Sequence, residues 1–370
     1  MPQKKKISES NDHSDSELSN KKLKSEDNGK EKNGKEISDS VTHDDQSVDS
    51  KTDCQTGCLL ICGGVNWDLV GRKELPKAQR NCKNISATPR NLFGPHVWSK
   101  DIKLRSVHSS CGAAHSIIVS EDYKAYVFGR NDKNQLGLGD TDTRNEPVLV
   151  ESLSKYKVYS AAVGRNHSLF LTDSGVFACG DNKMGQCGVG NQNPNITTPT
   201  KINYNGKKVE KMACGGDFSM ILDSSGSVYS FGSPEFGQLG YGRLGHNDTK
   251  NELVPRNLKT FDYQNKGEAT MYPKPIQDLG GWNIRSVACA NKSIVVCADE
   301  SVISWGPSPT FGELGYGENK ARSSTIPQEL KTLEGIHVHS VSCGYSHTLF
   351  LARNNDSKEI EKIQKLPQWP

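Results

Sequence analysis

Short apolar runs, such as Ile117–Val119 and Leu349–Leu351, alternate with turns rich in glycine and polar residues through most of the chain. Similar turns precede five of these runs, at positions 112, 164, 215, 290 and 344. Apolar runs this short, bounded by turn residues, are typical of β-strands and not of helices. The pattern therefore predicts an all-β protein built from a repeated unit.

A second element recurs between these turns, namely an aromatic–glycine pair followed by a Gln–Leu–Gly or related triplet. Three of the pairs are Phe128–Gly129, Phe231–Gly232 and Trp305–Gly306, and a segment containing proline comes after each of them. The turns are 52, 51, 75 and 54 residues apart, so the regular repeat spans 51–54 residues. A repeat of this length with several short strands is typical of a β-propeller blade, in which glycines allow tight turns and close packing.

The chain carries half a repeat near each end of this region. Cys62–Gly71 has the second element without a preceding turn, and Cys343–Leu351 has the turn and apolar run without a following pair. We expect the two halves to form one shared blade, which would join the chain ends and remove an exposed sheet edge. The predicted propeller covers residues 54–352, and a charged C-terminal segment covers 353–370.

The repeat is interrupted in its middle. The triplet Gln238–Gly240 runs directly into a second, similar turn at Tyr241, and two of the later prolines are only 18 residues apart. These features predict internal losses near 240/241 and 263–269. About four to five blades remain, four of them recognisable and a fifth depending on a leftover strand region near 253–280. A closed ring of five and an open or strained ring both fit this pattern.

Residues 1–53 differ in composition from the rest of the chain. They are rich in Ser, Asp, Glu, Lys and Asn, and they carry too little apolar area to form a core, so we expect a disordered tail. Two short basic clusters resemble a two-part nuclear import signal, although a solvated lysine-rich tail explains them equally simply. The clustered lysines are Lys4, Lys5, Lys6, Lys21, Lys22 and Lys24.

Composition and charge narrow the class of protein. Glycine accounts for 35 of 370 residues and aromatic residues for 7%, which favours a turn-rich β protein, and no apolar stretch approaches the length of a membrane span. The formal net charge is +3, made up of a tail at −3 and a body at +6. The 11 cysteines include no Cys-x-x-Cys pair, so we expect reduced thiols and not a metal site or disulfides.

The sequence carries none of the common catalytic motifs. The sequence has no phosphate-binding loop, no His-Glu-x-x-His and no Gly-x-Ser-x-Gly. His115, His167 and His347 share one repeat position, which favours buried structural histidines that bond neighbouring turns over catalytic ones. The sequence therefore predicts a protein that is not an enzyme and has no cofactor, metal or small-molecule substrate.

The Cys-Gly…His-Ser turns and the Phe-Gly…Gly-Gln-Leu-Gly segments resemble the regulator of chromosome condensation repeat family over residues 60–351. That resemblance implies a propeller, seven-bladed in the family, that binds small GTPases of the Rac, Arf and Ral kinds, microtubules, and chromatin or chromosomal passenger proteins. It implies roles in spindle assembly, cytokinesis and cell migration. The implied locations are the nucleus or nucleolus, the centromere and spindle in mitosis, and the cytoplasm and cytoskeleton.

Two further functions remain as alternatives. The first is guanine-nucleotide exchange on a small GTPase, which needs no covalent chemistry, and the second is a propeller enzyme, which would need a cluster at the central channel that the sequence does not show. Binding would fall to loop residues outside the repeat motif and to the long loop insert Arg72–Lys100. The candidates are Arg72, Lys73, Arg130, Asn131, Lys133, Arg165, Asn166, Asp181, Asn182 and Lys183.

Overall fold

The computed structural model describes residues 56–72, 91–191, 193–233, 252–257, 279, 281–306 and 311–369. The predicted tail with its lysine clusters, candidate Lys73, and the two predicted losses near 240/241 and 263–269 lie outside the described residues. The described residues are mostly β-strand, as the sequence predicts.

Four blades are built from consecutive strands, each paired antiparallel with the next. Blade 2 contains β3 (Leu104–His108), β4 (His115–Ser120), β5 (Ala125–Gly129) and β6 (Arg144–Leu149). Blade 3 contains β7 (Val158–Val163), β8 (His167–Thr172), β9 (Gly175–Asp181) and β10 (Asn195–Lys201). Blade 4 contains β11 (Val209–Cys214), β12 (Phe218–Asp223), β13 (Val228–Gly232) and β14 (Glu252–Asn257). Blade 5 contains β15 (Ile284–Cys289), β16 (Ile294–Ala298), β17 (Ser301–Gly306) and β18 (Ser324–Glu329).

Blade 1 is formed by both ends of the propeller. Its strands are β1 (Gly57–Gly63), β2 (Leu92–Trp98), β19 (Val338–Cys343) and β20 (His347–Arg353). β1 pairs antiparallel with β20 along its whole length, with Leu60 opposite Phe350. The expectation of a shared blade is confirmed, and β2 adds a strand within the Arg72–Lys100 stretch that the sequence pattern suggested only as a loop insert.

The described residues therefore form five four-stranded blades, which agrees with a propeller of four to five. β14 pairs with β13 and completes blade 4, so the start of the leftover strand region near 253–280 has a place in the fold. Short 3-10 turns at Glu151–Leu153 and Lys331–Leu333 follow β6 and β18. No helix among the described residues is both long enough and apolar enough to cross a membrane.

Apolar side chains from facing blades form the core at each seam, by which we mean the interface between neighbouring blades. Between blades 2 and 3, for example, Ile117 and Val127 pack with Phe170 and Phe177. Packed seams join blade 5 to 1, 1 to 2, 2 to 3 and 3 to 4. Since burial of apolar area is the main stabilising term, these seams carry the stability of the propeller.

The glycine of the aromatic–glycine pair is required by geometry. Gly129 has φ of +108°, and an added Cβ would lie 2.5 Å from the carbonyl oxygen of Ala114 and the Cα of His115. Gly63, Gly180 and Gly232 have φ of 107–108° at the same place in their blades. The recurrence of this glycine in the sequence thus reflects a backbone conformation that other residues rarely adopt.

The charged C-terminal segment packs onto the propeller through one helix and one strand. Helix α1 (Ser357–Gln364) begins at the N-cap Asp356, whose side chain accepts hydrogen bonds from the first turn. Glu359 of this helix is buried and accepts two 2.7 Å hydrogen bonds from Arg353. Strand β21 (Gln368–Trp369) then pairs parallel with β2, and Trp369 lies buried 5.3 Å from the ring of Phe128.

Candidate functional site

In each blade one turn joins two inner strands: β19 to β20 in blade 1, and the first strand to the second in blades 2 to 5. These five turns meet around one cavity of about 640 Å³. Its lining includes a residue from the turn of each blade, and the segment Val70–Arg72 completes it. We call this cavity the central mouth. Its turn residues are Tyr345 from blade 1, Gly112 from blade 2, Arg165 and Asn166 from blade 3, Gly215 and Gly216 from blade 4, and Asn291 from blade 5.

The charged side chains among the described residues lining the mouth are all arginines, namely Arg72, Arg130 and Arg165. Arg130 is buried, and its guanidinium donates to the main-chain carbonyls of Trp67 and Val70. Burial and the nearby Arg72 lower the pKa of Arg130 to about 10, which still leaves it charged at neutral pH. The mouth therefore concentrates positive charge, and carboxylates flank it without lining it.

The guanidinium groups of Arg72 and Arg165 differ in how accessible they are to a partner. Arg72 forms an ion pair with Asp132, but its Nη1 is buried without a hydrogen-bond partner. The Arg165 side chain is 59% exposed, with Nη1 3.3 Å from Asp217. A surface ion pair of this kind is weak, so Arg165 can exchange it for a carboxylate of a partner.

The structure places four of the ten candidate residues at the mouth: Arg72, Arg130, Arg165 and Asn166. Asn131 and Asn182 are instead fully buried and hold their own loops, since their side-chain amides donate to the carbonyls of Asp140 and Asn191. Their side-chain oxygens accept from the loop N–H groups of Leu136 and Cys187. These two asparagines therefore have no surface to offer a partner.

The remaining described candidates lie on the same loops but outside the mouth. Lys133 is half-buried, and its backbone N–H donates to Gln135. Asp181 accepts a 3.3 Å hydrogen bond from the backbone N–H of Lys183, whose side chain is exposed. Lys183 is thus free to contact a partner but is separate from the arginines of the mouth.

The repeated histidines bond across the seams. His115 Nε2 lies 2.9 Å from Ser168 Oγ in the next blade, and the Ser168 hydroxyl donates to the carbonyl of Gln135 at 2.7 Å. The hydroxyl oxygen therefore accepts the Nε2–H of His115. The same contact joins His167 to Ser219 at 2.9 Å and His347 to Ser116 at 2.8 Å.

These histidines are structural, as the repeat position indicates. Desolvation lowers the pKa of His115 and His347 to about 3 and that of His167 to about 4. Their Nδ1 atoms are buried without partners, so a second proton would place an unpaired charge in the core. The sequence predicted buried repeat histidines but not their serine partners, although the invariant spacing of Ser or Thr after His was a signal.

The cysteines and acidic groups form no metal-binding group in the part of the chain that is described. No group of three or more His, Cys, Asp or Glu there is arranged to hold a metal ion. Burial raises the pKa of Cys58 to about 11 and that of Cys343 to about 12, so both remain neutral thiols. The nine described cysteines are all free.

A second cavity of about 730 Å³ lies between strand ends of blades 3 and 4. Tyr159, Lys201 and Lys208 line it, but it gathers residues from only two blades. The mouth is smaller but draws on every blade, which makes it the better candidate for a partner site.

Similarity to a known protein family covers the propeller of this chain. The RCC1-like domain model matches residues 58–357. Protein RCC2 of Homo sapiens is 42% identical over 417 aligned positions, covering 85% of this chain and 79% of that protein. The Protein RCC2 homolog of Xenopus laevis is 40% identical, with 85% and 81% covered, and the ultraviolet-B receptor UVR8 of Arabidopsis thaliana is 27% identical, with 72% and 55% covered.

Among solved structures, yeast RCC1 (Prp20), solved bound to Kap60, is 18% identical with a TM-score of 0.40. The match covers 74% of this chain and 59% of that one, and human WBSCR16 gives 20% identity, a TM-score of 0.40, and coverage of 71% and 61%. This chain thus spans about three fifths of each of those structures. The chain is also similar to RCC2 over most of its length. The propeller blades, their repeated turns and the family match over residues 58–357 together show that the chain belongs to the RCC1-like domain family.

Proposed function

We propose that this protein is a non-enzymatic binding protein of the RCC2 type that acts in cell division and small-GTPase signalling. Its proposed partners are small GTPases of the Rac, Arf and Ral kinds, microtubules, and chromatin or chromosomal passenger proteins. The proposed processes are spindle assembly, cytokinesis and cell migration. The similarity to RCC2 at 42% identity supports the general role.

The observation that carries the proposal is the arginine-lined central mouth. A rigid β scaffold presents turns from five blades around one cavity, and Arg72, Arg130 and Arg165 supply positive charge there. Acidic surfaces of GTPases and acidic tubulin tails are complementary to such a mouth. Much of the attraction acts through exposed groups and is screened by salt, so binding should weaken as ionic strength rises.

The first test is binding of the full chain to a panel of small GTPases and to microtubules, for the wild type and Arg165→Glu. The substitution reverses an exposed charge, so we expect at least a tenfold loss of affinity, which corresponds to about 1.4 kcal/mol. Lys320→Glu is the charge-matched control, because Lys320 is exposed and outside the mouth lining. Equal losses for both variants, or none for Arg165→Glu, would exclude the mouth as the binding site.

Guanine-nucleotide exchange remains the second candidate function. An exchange factor binds the nucleotide-free GTPase more tightly, and by thermodynamic reciprocity the GTPase then holds its nucleotide less tightly. Release of a fluorescent GDP analogue should therefore be accelerated by catalytic amounts of the chain. Tight binding to the nucleotide-free form with unchanged release would instead support a sequestering partner protein.

We also propose that the lysine clusters of the tail direct nuclear import, with the nucleus or nucleolus, the centromere, the spindle and the cytoskeleton as proposed locations. Replacing Lys21, Lys22 and Lys24 with alanine should exclude a fluorescent fusion from the nucleus of non-dividing cells. A matched variant that changes Lys30, Lys32 and Lys35 removes the same charge outside the two clusters. An unchanged nuclear fraction in the first variant would rule out this signal.

A further inference from the structure

A smaller cavity of about 340 Å³ lies beside the central mouth. Four residues, Gly71, Arg72, Asn291 and Tyr345, line both cavities. A partner bound at the mouth therefore reaches the smaller cavity without crossing another part of the surface. We call the smaller cavity the side pocket.

The side pocket differs from the mouth in its apolar side chains. Leu69 and Tyr345 line it and are each 37% exposed, and the half-buried Phe311 completes this apolar part of the lining. The Phe311 ring packs closely on Gly64, where an added Cβ would lie 3.1 Å from it. Exposed apolar side chains gathered in a concave surface beside charged groups are typical of a partner site.

Hydrogen bonds hold these apolar residues in place. Leu69 lies in a turn, where its carbonyl accepts the backbone N–H of Arg72 at 2.9 Å. The backbone N–H of Tyr345 donates to the carbonyl of Ala113 in blade 2, also at 2.9 Å. A preformed pocket loses little conformational entropy when it is filled, so more of the contact energy remains for affinity.

The charges around the two cavities favour an acidic ligand. Besides the three arginines of the mouth, Lys292 is exposed in the lining of the side pocket. Among the described residues that line the two cavities, Glu313 is the single acidic one. It is 4% exposed, and its carboxylate accepts the backbone N–H of Phe311 at 2.8 Å. The cations are therefore available to carboxylates of a partner.

We propose that the side pocket binds one apolar side chain from an acidic segment of a partner protein. The arginines of the mouth bind carboxylates on one side of that residue, and Lys292 binds a carboxylate on the other side. This rests on the proposed role of the mouth as the partner site, and it adds the class of peptide that the mouth selects. A cavity of 340 Å³ is at the small end of ligand pockets, which suits a single side chain the size of leucine or phenylalanine.

Two fluorescently labelled peptides of equal charge test the side pocket, namely Glu-Glu-Phe-Glu-Glu and Glu-Glu-Ser-Glu-Glu. Fluorescence anisotropy with the full chain should show at least tenfold tighter binding of the phenylalanine peptide. Leu69→Ser and Tyr345→Ala should each reduce this ratio to less than threefold. Met184→Ser is the matched control, because Met184 is also 37% exposed but lies outside both linings, and it should leave the ratio unchanged.

Ionic strength separates the apolar contact from the charged ones. Added salt should weaken binding of both peptides, because it screens the contacts to the cations, but should leave the ratio of their affinities unchanged. Arg165→Glu should likewise weaken both peptides by the same factor. Thermal unfolding by circular dichroism checks that each variant is folded, and the two side-pocket variants provide independent readings.

The outcomes distinguish the side pocket from the mouth. Equal affinity of the wild type for the two peptides, with a loss for both in Arg165→Glu, would overturn the side pocket and leave the mouth as the partner site. A ratio unchanged in both Leu69→Ser and Tyr345→Ala would mean that the apolar residue binds elsewhere, which also overturns the proposal. If neither peptide bound, the mouth would not be a site for acidic segments, and both proposals would fail.

Discussion

At the scale of single residues, hydrogen bonds within loops and between blades determine which side chains are exposed to a partner. Repetition in the sequence predicted that His115, His167 and His347 are buried, and the structure confirms it. The same reasoning could not separate Asn131 and Asn182, which hold their loops, from Arg165, which is exposed, because all three follow glycine-rich motifs. Whether such a side chain is buried depends on whether loop carbonyls lie within hydrogen-bond distance of it. The spacing of residues along the sequence does not give that distance.

The seam histidines make stability depend on pH. The folded-state pKa of His167, about 4, lies below the value of 6.5 expected in the unfolded chain. The unfolded state therefore binds more protons between these values, so stability is full above pH 6.5 and is lost as pH falls toward 4. His115 and His347, with pKa values of about 3, act in the same direction.

His167→Gln tests this dependence, because an amide can donate to Ser219 without taking up a proton. Between pH 6.5 and 4 we expect the free energy of unfolding to fall less steeply, by up to about 1.4 kcal/mol per pH unit. Urea unfolding across this pH range measures the slope, and the difference at pH 7.5 gives the cost of the replacement itself. If the free energy of unfolding had the same pH slope in both proteins, His167 would not be held neutral by the fold down to about pH 4.

At the scale of elements, the recurring strands were predictable and the unique ones were not. The turn and aromatic–glycine motifs mark the inner strands of each blade, and in four of the five blades the glycine of the pair has a φ of 107–108° that other residues rarely adopt. β2, α1 and β21 occur once and carry no repeat motif, so the sequence suggested only a loop insert and a charged end. Their place in blade 1 depends on contacts such as Trp369 on Phe128, which join distant parts of the chain.

Trp369→Ala tests whether β21 stabilises the propeller. The side chain is 3% exposed and packs in the seam between blades 1 and 2, so truncation should cost about 3–5 kcal/mol. Gln368→Ala, at the exposed neighbouring position, should stay within about 0.5 kcal/mol of wild type. Chemical unfolding measures both, and equal stability of the two variants would show that β21 is not part of the cooperative core.

At the scale of the whole molecule, the repeat period predicted the propeller and the repeat motifs resembled those of the family, and both the propeller and the family are confirmed. The number of blades was predicted only as four to five, because the 75-residue spacing contains β14 together with sequence that fits no repeat. Whether neighbouring blades cover each other depends on packing between faces far apart in sequence. No local pattern reports that Val287 is exposed while Val341 is buried.

The shared blade also has a consequence for synthesis of the protein. β1 pairs with β2 on one edge, but its other edge pairs with β20, so on that edge Leu60 must wait for Phe350, 290 residues later. At about 5–20 residues per second, a translating ribosome leaves this edge unpaired for on the order of 15–60 s. During that interval Leu59, Leu60 and Ile61 form an apolar edge that chaperones can bind, and premature termination before β20 would leave that edge permanently open to aggregation.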